Sequence, residues 1–505
     1  MISLRIALAF CATFIASSAH ATLDEVIDRA ISPLSDALSA AIFYEIPLPM
    51  VDQGVPFIVA WLVIAAVVFT LYFGFINLRA MRHSFGLIRG RYTPPDAVGE
   101  VTHFQALATA LSGTVGLGNI AGVAIAVSLG GPGATFWMIL AGLLSMSTKF
   151  AECTLGVKYR NEYADGTVSG GPMYYLSKGI AEQHPRLKPL GKILAVVFAV
   201  FCIGGAIGAG TMFQTNQAFS QLLNVTGGEA SPLNGFGWLF GLGIAFLVGM
   251  VIIGGIKSIA RVTAKVVPTM AIVYVVAGLT IILLNIDQVP AAVGAILDGA
   301  FRPEGVAGGL IGVIILGFRR AAFSNEAGVG SAAIAHSAVR TDRPVTEGLV
   351  ALYEPLIDTV VICTITALVI IITGSLVGAG DIEGVALTSR AFESAFSWFP
   401  YVLLVAVLLF AFSTTIAWSY YGLKSWTYLV GEGKTKELIF KFSILPAIVV
   451  GASINLTSVM DFADGMILAM ALPNLIGVYL LAPVVKKELQ SYWADYKSGR
   501  LQTYD

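Results

Sequence analysis

The residues best suited to chemistry in this chain are Ser112-Gly113-Thr114-Val115-Gly116-Leu117-Gly118-Asn119, small polar groups and glycines in the middle of an apolar segment. Glycine inside a helix costs roughly 1 kcal/mol against alanine, and opened backbone facing lipid costs more. A helix that breaks here must bury the break in protein or turn it toward a watery cavity. It would then offer free carbonyls to a cation, and free amides around Thr114, Val115 and Gly116 to a carboxylate. A second interruption, Ala321-Ala322-Phe323-Ser324-Asn325-Glu326-Ala327-Gly328, follows roughly 210 residues later. Two broken helices in matching halves are the sequence mark of a secondary transporter. Close helix packing is the competing account of the glycines, but it leaves Ser112, Thr114 and Asn119 unexplained.

Other polar groups sit where apolar ones are expected. Ser413, Thr414 and Thr415 lie deep in a later apolar segment. Such hydroxyls often back-bond to their own helix. Three in a row also suit a sodium ion, with Ser413 and Thr414 hydroxyls joined by the freed carbonyls of Ser112 and Val115. Trp418 is one turn beyond Thr414, placed to wall a small substrate. Gln214 follows the close-approach glycines 208 and 210 and is read either as a helix-joining amide or as a contact to a zwitterion. At the second break, Phe323, Ser324 and Asn325 with the local backbone are assigned to substrate. Glu326 is read as a structural or gating ion pair, with Arg319 or Arg320 the nearest partners. Glu354 and Asp358 are further intramembrane acids, hence functional candidates, as counter-ions or as part of an ion path. Asp461 and Asp464 are placed at the outer mouth of the last helix, as a solvated face.

Several classes are excluded. The five histidines form no close cluster in sequence, and the four cysteines have neither metal-ligand spacing nor a disulfide framework. No metal-assisted chemistry, organic cofactor or enzyme activity is expected. A net charge of -1 argues against a nucleic-acid partner. Gly116-Leu117-Gly118-Asn119 lacks the preceding strand that a dinucleotide fingerprint needs.

The elements that must position these groups are membrane helices. The chain has 505 residues, 56% hydrophobic and 12% charged, with mean hydropathy +0.81, against about 25% charged in soluble domains. Residues 1–21 read as a signal peptide, with Arg5, a short apolar core and Ala19-His20-Ala21. Residues 22–54 read as an outer interfacial segment. Eleven apolar segments follow, near 55–78, 103–129, 131–157, 192–223, 236–255, 266–285, 306–338, 347–374, 398–423, 438–454 and 460–484. If these alternate across the bilayer, most of the 30 Lys and Arg fall on one side, Lys149 among them, and Arg29, Arg302 and Arg390 on the other. The positive-inside rule then puts the mature N-terminus outside and residues 486–505 in the cytoplasm as a tail. Without the first helix, the other ten within the 55–485 transporter domain divide into two inverted sets of five, about 103–285 and 306–485. Each set opens with its broken helix. The expected class is an all-α membrane protein with a five-plus-five inverted repeat, the leucine-transporter architecture, and one extra N-terminal helix.

The stretches Ser112 to Asn119, Gly170-Gly171-Pro172-Met173-Tyr174-Tyr175, Phe323 to Gly328, and Asp464-Gly465 through Pro473-Asn474-Leu475-Ile476 together resemble the alanine or glycine:cation symporters, also called sodium:alanine symporters. The resemblance implies sodium-coupled uptake of alanine or glycine, held between the two broken helices. Val115 to Asn119 is also similar to the first broken helix of the neurotransmitter:sodium symporters. That similarity implies sodium-binding carbonyls at Ser112 and Val115, hydroxyl ligands at Ser413 and Thr414, and a substrate pocket lined at Trp418. Symporter relatives often carry an Asn near Thr211, where this chain departs from the pattern. The partners expected are a small neutral amino acid, sodium and the lipid bilayer, for a monomer in a bacterial inner membrane. Proton coupling through Glu326, Asp358 or Glu354 is the alternative within transporters, and a passive channel lies outside them.

Overall fold

The computed structural model describes residues 54–302, 309–378 and 382–504, with scattered positions between 33 and 47. The signal-peptide reading at 1–21 lies outside the described residues, as does most of the interfacial segment. The fold is almost wholly helical. Helix α1 is Phe57–Tyr72. The first broken helix is α2, His103–Thr114, then α3, Val123–Gly130, which a wide turn at Gly118–Gly122 leads into. Next come α4, Ala134–Lys158, and α5, Pro185–Val225, which widens at Gly208–Met212. Two more follow as α6, Gly237–Ile252, and α7, Gly255–Leu284. The second broken helix is α8, Gly309–Asn325, then α9, Ala332–His336. The chain continues through α10, Pro344–Ile372, α11, Phe399–Val430, α12, Lys434–Ser453, and α13, Leu456–Lys497. Short helices at Val289–Phe301 and Val385–Glu393 precede α8 and α11.

Six of these helices are long and apolar enough to cross a membrane, or seven if the bent α2–α3 pair counts as one. On α7 only 33% of the apolar window is buried, and Ile272, Val276, Leu279 and Leu283 face outward. Greasy side chains on an outer surface are stable only against lipid. The matching windows of α4 and α11 are 61% and 67% buried, and these helices form the inner frame on which the breaks rest.

Local sequence fixes where the broken helices start and stop. Thr102 and Gln105 form a reciprocal capping box at the start of α2. The helix then runs to Thr114, where the glycine-rich stretch ends it, and the α2–α3 axis turns by 52°. The second helix stops at Asn325. Glu326 then takes a left-handed conformation with φ of 56°, rare for a residue with a side chain, and residues 326–331 stay unwound. Each unwound stretch overlaps the predicted interruption but begins later, because helix persists to Thr114 and to Asn325.

Candidate functional site

At the first break the amides of a continuous helix have been redirected. Gly116 N donates to Asn119 Oδ1 at 2.9 Å, Leu117 N to Gln214 Oε1 at 3.0 Å, and Asn119 N to Gly116 O at 3.2 Å. The carbonyls of Ser112, Gly113 and Val115, four residues back, thereby lose their ordinary partners. Val115 N still bonds Leu111 O at 2.7 Å, and the Thr114 hydroxyl back-bonds to Ala110 O at 3.3 Å. The break so offers oxygens more readily than amides. Of the three amides expected to meet a carboxylate, those of Thr114 and Val115 stay in the helix and that of Gly116 is held by Asn119. Gln214, which holds Leu117 N, is fixed in turn by donating to Ala209 O at 2.9 Å.

Helix α11 supplies the facing wall. Ser112 Oγ donates to Ser413 O at 2.6 Å, and Ser413 Oγ back-bonds to Phe410 O at 3.1 Å. The Thr414 hydroxyl is buried with no partner, and so is that of Thr415. A Cβ on Gly116 would lie 2.6 Å from Thr414 Oγ1 and 3.0 Å from Gln214 Oε1, so only glycine lets the opened backbone approach these side chains. A buried hydroxyl without a partner is costly, and here it faces the redirected backbone.

Asp358 of α10 closes the other side. Asn119 Nδ2 donates to Asp358 Oδ1 at 2.6 Å and lies 3.0 Å from Ser324 Oγ, which donates to Asp358 Oδ2 at 2.7 Å. Thr359 Oγ1 adds a bond to Oδ2, also at 2.7 Å. The Asp358 carboxylate thus accepts from one amide N–H and two hydroxyls, and among the described residues no cationic side chain bonds it. Ser324 joins it from the second break. Asn325 is used otherwise: its Oδ1 accepts from Ala327 N at 3.0 Å and its Nδ2 donates to Thr359 Oγ1 at 2.9 Å. It holds the unwound chain in place.

The second break is stitched by charged and polar side chains. Trp418 Nε1 donates to Glu326 Oε1 at 2.9 Å, and Ser331 donates to the other carboxylate oxygen. Asn474 Nδ2 donates to Gly328 O at 2.8 Å and to Glu152 Oε1 at 2.5 Å, while the Tyr175 hydroxyl donates to Asn474 Oδ1. Three of the four stretches that carry the resemblance thus meet at this break, through Tyr175, Gly328 and Asn474. Trp418 packs so closely on α5 that a Cβ on Gly210 would lie 2.2 Å from Trp418 Cβ. The Phe323 ring sits edge-on to Phe213 at 5.3 Å, against Gly118.

Four expectations need correction. Glu326 pairs with neither Arg319 nor Arg320. Both arginines bind Asp464, Arg319 Nη2 at 2.7 Å. Asp464 is therefore fully buried rather than on a solvated mouth, because two guanidinium groups offset its desolvation. Lys149, counted among the cytoplasmic charges, is fully buried and lies 3.3 Å from Glu354. Two of the histidines do come together: His103 and His336 both bond Glu347, and His336 also bonds Glu354. Lys149 and Glu152 stand three residues apart within one apolar segment, a spacing that announces buried partners. Cys153, His336 and Glu354 lie within 4.8 Å of one another, a metal-like trio. Both His336 nitrogens already face carboxylates and Lys149 neutralises Glu354, so the trio belongs to an ion network.

Comparison with known proteins gives the fold and the family. The fold is similar to the crystal structure of MhsT in complex with L-phenylalanine, at TM-score 0.56 and 14% identity, covering 76% of this chain and 89% of that one. The likeness shows a leucine-transporter-like fold. The sodium/alanine symporter AgcS of Methanococcus maripaludis is 40% identical over 441 residues, 86% of this chain and 94% of that protein. The "Probable sodium/glutamine symporter GlnT" of Bacillus subtilis is 33% identical over 439 residues, 86% of this chain and 87% of that protein. Residues 45–505 match the sodium:alanine symporter family. The chain is a multi-pass membrane transporter and belongs to that family.

Proposed function

We propose that the protein is a secondary active symporter that uses an inward sodium gradient to bring a small neutral amino acid, alanine or glycine, into the cell. One observation carries this reading: the unpartnered Thr414 hydroxyl lies against Gly116, in the break where the Ser112, Gly113 and Val115 carbonyls have lost their helix partners. Sodium binds there, to Ser112 and Val115 carbonyls with Ser413 and Thr414, and Asp358 supplies negative charge one side chain away. The Ser413 hydroxyl turns from its back-bond to take part.

The amino acid lies between the breaks, beside Thr114, Val115, Gly116, Gln214, Phe323, Ser324, Asn325 and Trp418. Its carboxylate displaces the Gln214 amide oxygen from Leu117 N, which frees Gln214 to orient it. Trp418 and Phe323 limit side-chain size, in keeping with alanine in the name of AgcS; glutamine in the name of GlnT marks a larger substrate within the same family. Occupancy of both sites favours the inward-facing state, and that differential binding is the coupling.

The reading includes the eleven-span topology, with inverted repeats at about 103–285 and 306–485. It also includes a cleaved leader at 1–21, an outer segment at 22–54, a transporter domain at 55–485 and a cytoplasmic tail at 486–505, in a bacterial inner membrane. A monomer suffices, since both breaks lie in one chain. Proton coupling is the second reading, favoured by the buried acids Glu326, Glu354 and Asp358.

Uptake of labelled alanine into proteoliposomes, with and without an inward sodium gradient, tests the proposal. Accumulation above the outside concentration is expected only with sodium. Accumulation driven by a proton gradient alone supports the second reading, and flux without accumulation supports a channel. Competition by glycine, serine and leucine sizes the pocket.

A further inference from the structure

The inner ends of the two broken helices meet in a buried ion network that reaches the proposed substrate position through Glu326, which accepts from Trp418 Nε1. His103 opens α2 and His336 closes α9. Both rings reach one carboxylate: His103 Nδ1 bonds Glu347 Oε2, and His336 Nδ1 bonds Glu347 Oε1 at 2.5 Å. Glu347 sits in the first turn of α10, where the helix N-terminus favours negative charge. His336 Nε2 bonds Glu354 on the same helix, and Lys149 of α4 neutralises Glu354. Glu152, Cys153 and Glu326 complete the titratable groups around Lys149. Each member of the network is buried.

An ionised carboxylate only accepts hydrogen bonds, so each oxygen of Glu347 calls for a donor, and each broken helix supplies one. The backbone repeats the tie. Residues 98–101, leading into α2, run beside residues 338–341, leaving α9. Glu100 N donates to Ala338 O at 2.8 Å, and Arg340 N to Val101 O at 2.9 Å. Arg160 clasps the same pair through Val98 O at 2.8 Å and Val339 O at 2.6 Å.

We propose that Glu347 is a positioning residue that makes the inner halves of the two broken helices move as one body. The inference rests on the symport reading. A cation at the first break and an amino acid between the two breaks then act on a single moving part, which is how two ligands come to share one transition.

The test uses the full chain in proteoliposomes and in detergent, wild type beside Glu347→Gln. Glutamine keeps the shape but turns one acceptor into a donor, leaving one imidazole N–H opposed. The expected result is a maximal rate of sodium-driven alanine uptake reduced about tenfold or more, with sodium-dependent alanine binding held within about threefold. Amide exchange across residues 98–106 and 332–341 should quicken in both segments together. Wild-type uptake and exchange in Glu347→Gln would overturn the proposal. If that variant does not fold, His103→Asn and His103→Ala carry the test: asparagine, with an amide donor near the Nδ1 position, retains the rate and alanine loses it. Equal rates from the two would also overturn it. Exchange needs no transport, so a wild type that takes up no alanine contradicts the symport reading while the exchange comparison still judges Glu347.

Discussion

At the first break, Asn119 and Gln214 hold the loose amides with neutral side-chain oxygens, and the carbonyls of Ser112, Gly113 and Val115 are left over. At the second, Glu326 holds Trp418 and Ser331, and Asn474 ties Gly328 to Glu152 and Tyr175. One interruption is closed so that it keeps spare oxygens. The other is closed by acids and amides that consume its polar capacity. A cation is better served by the first, because spare carbonyls and the Thr414 hydroxyl bring no positive charge with them. The second is better suited to holding shape, and it lends Ser324 to the Asp358 shell.

The largest expected effect comes from removing the residue that closes the first break. Asn119→Ala strands Gly116 N and takes a donor from Asp358, and each buried group left unpaired costs about 1–3 kcal/mol. Thermal unfolding in detergent should fall markedly and uptake should vanish. An Asn119→Ala protein that unfolds and transports like wild type would show that the break is not held as described.

Gly116→Ala comes next. Its methyl group would meet Thr414 Oγ1 at 2.6 Å, and overpacking of this kind costs about 1–3 kcal/mol. A sodium titration of alanine binding should show weakened sodium affinity. Normal affinity would mean that the cation sits elsewhere, with Asp358 the next candidate.

Trp418→Phe, at the second break, should do least. It removes one hydrogen bond to Glu326 and leaves most of the wall. Sodium affinity is expected to hold, while serine or larger side chains compete better for uptake. A change in sodium affinity as large as that of Gly116→Ala would erase the distinction between the two breaks.

Much of this was legible in the sequence, for a specific physical reason. Glycine runs and polar residues inside apolar segments violate helix economy wherever they occur, so both breaks announce themselves locally. Ser413 and Thr414 stand out on the same ground. What closes each break does not. Gln214 reaches Leu117 across 97 positions, and Asn474 reaches Gly328 across 146, and no spacing rule links residues so far apart. Arg319 and Arg320 are near Glu326 in sequence, but helical geometry turns them toward Asp464 of α13. His103 and His336 look isolated until Glu347 brings them together.

The central claim is that unwound backbone at the first break, with Thr414, holds the sodium ion. The sodium dependence of labelled alanine uptake in Thr414→Ala tests it most directly, since the hydroxyl has no partner to lose. The account predicts that half-maximal uptake needs about tenfold more sodium or beyond, the weight of roughly one ligand at 1.4 kcal/mol, with transport recovered at saturating sodium. A sodium curve that overlays the wild type would contradict it.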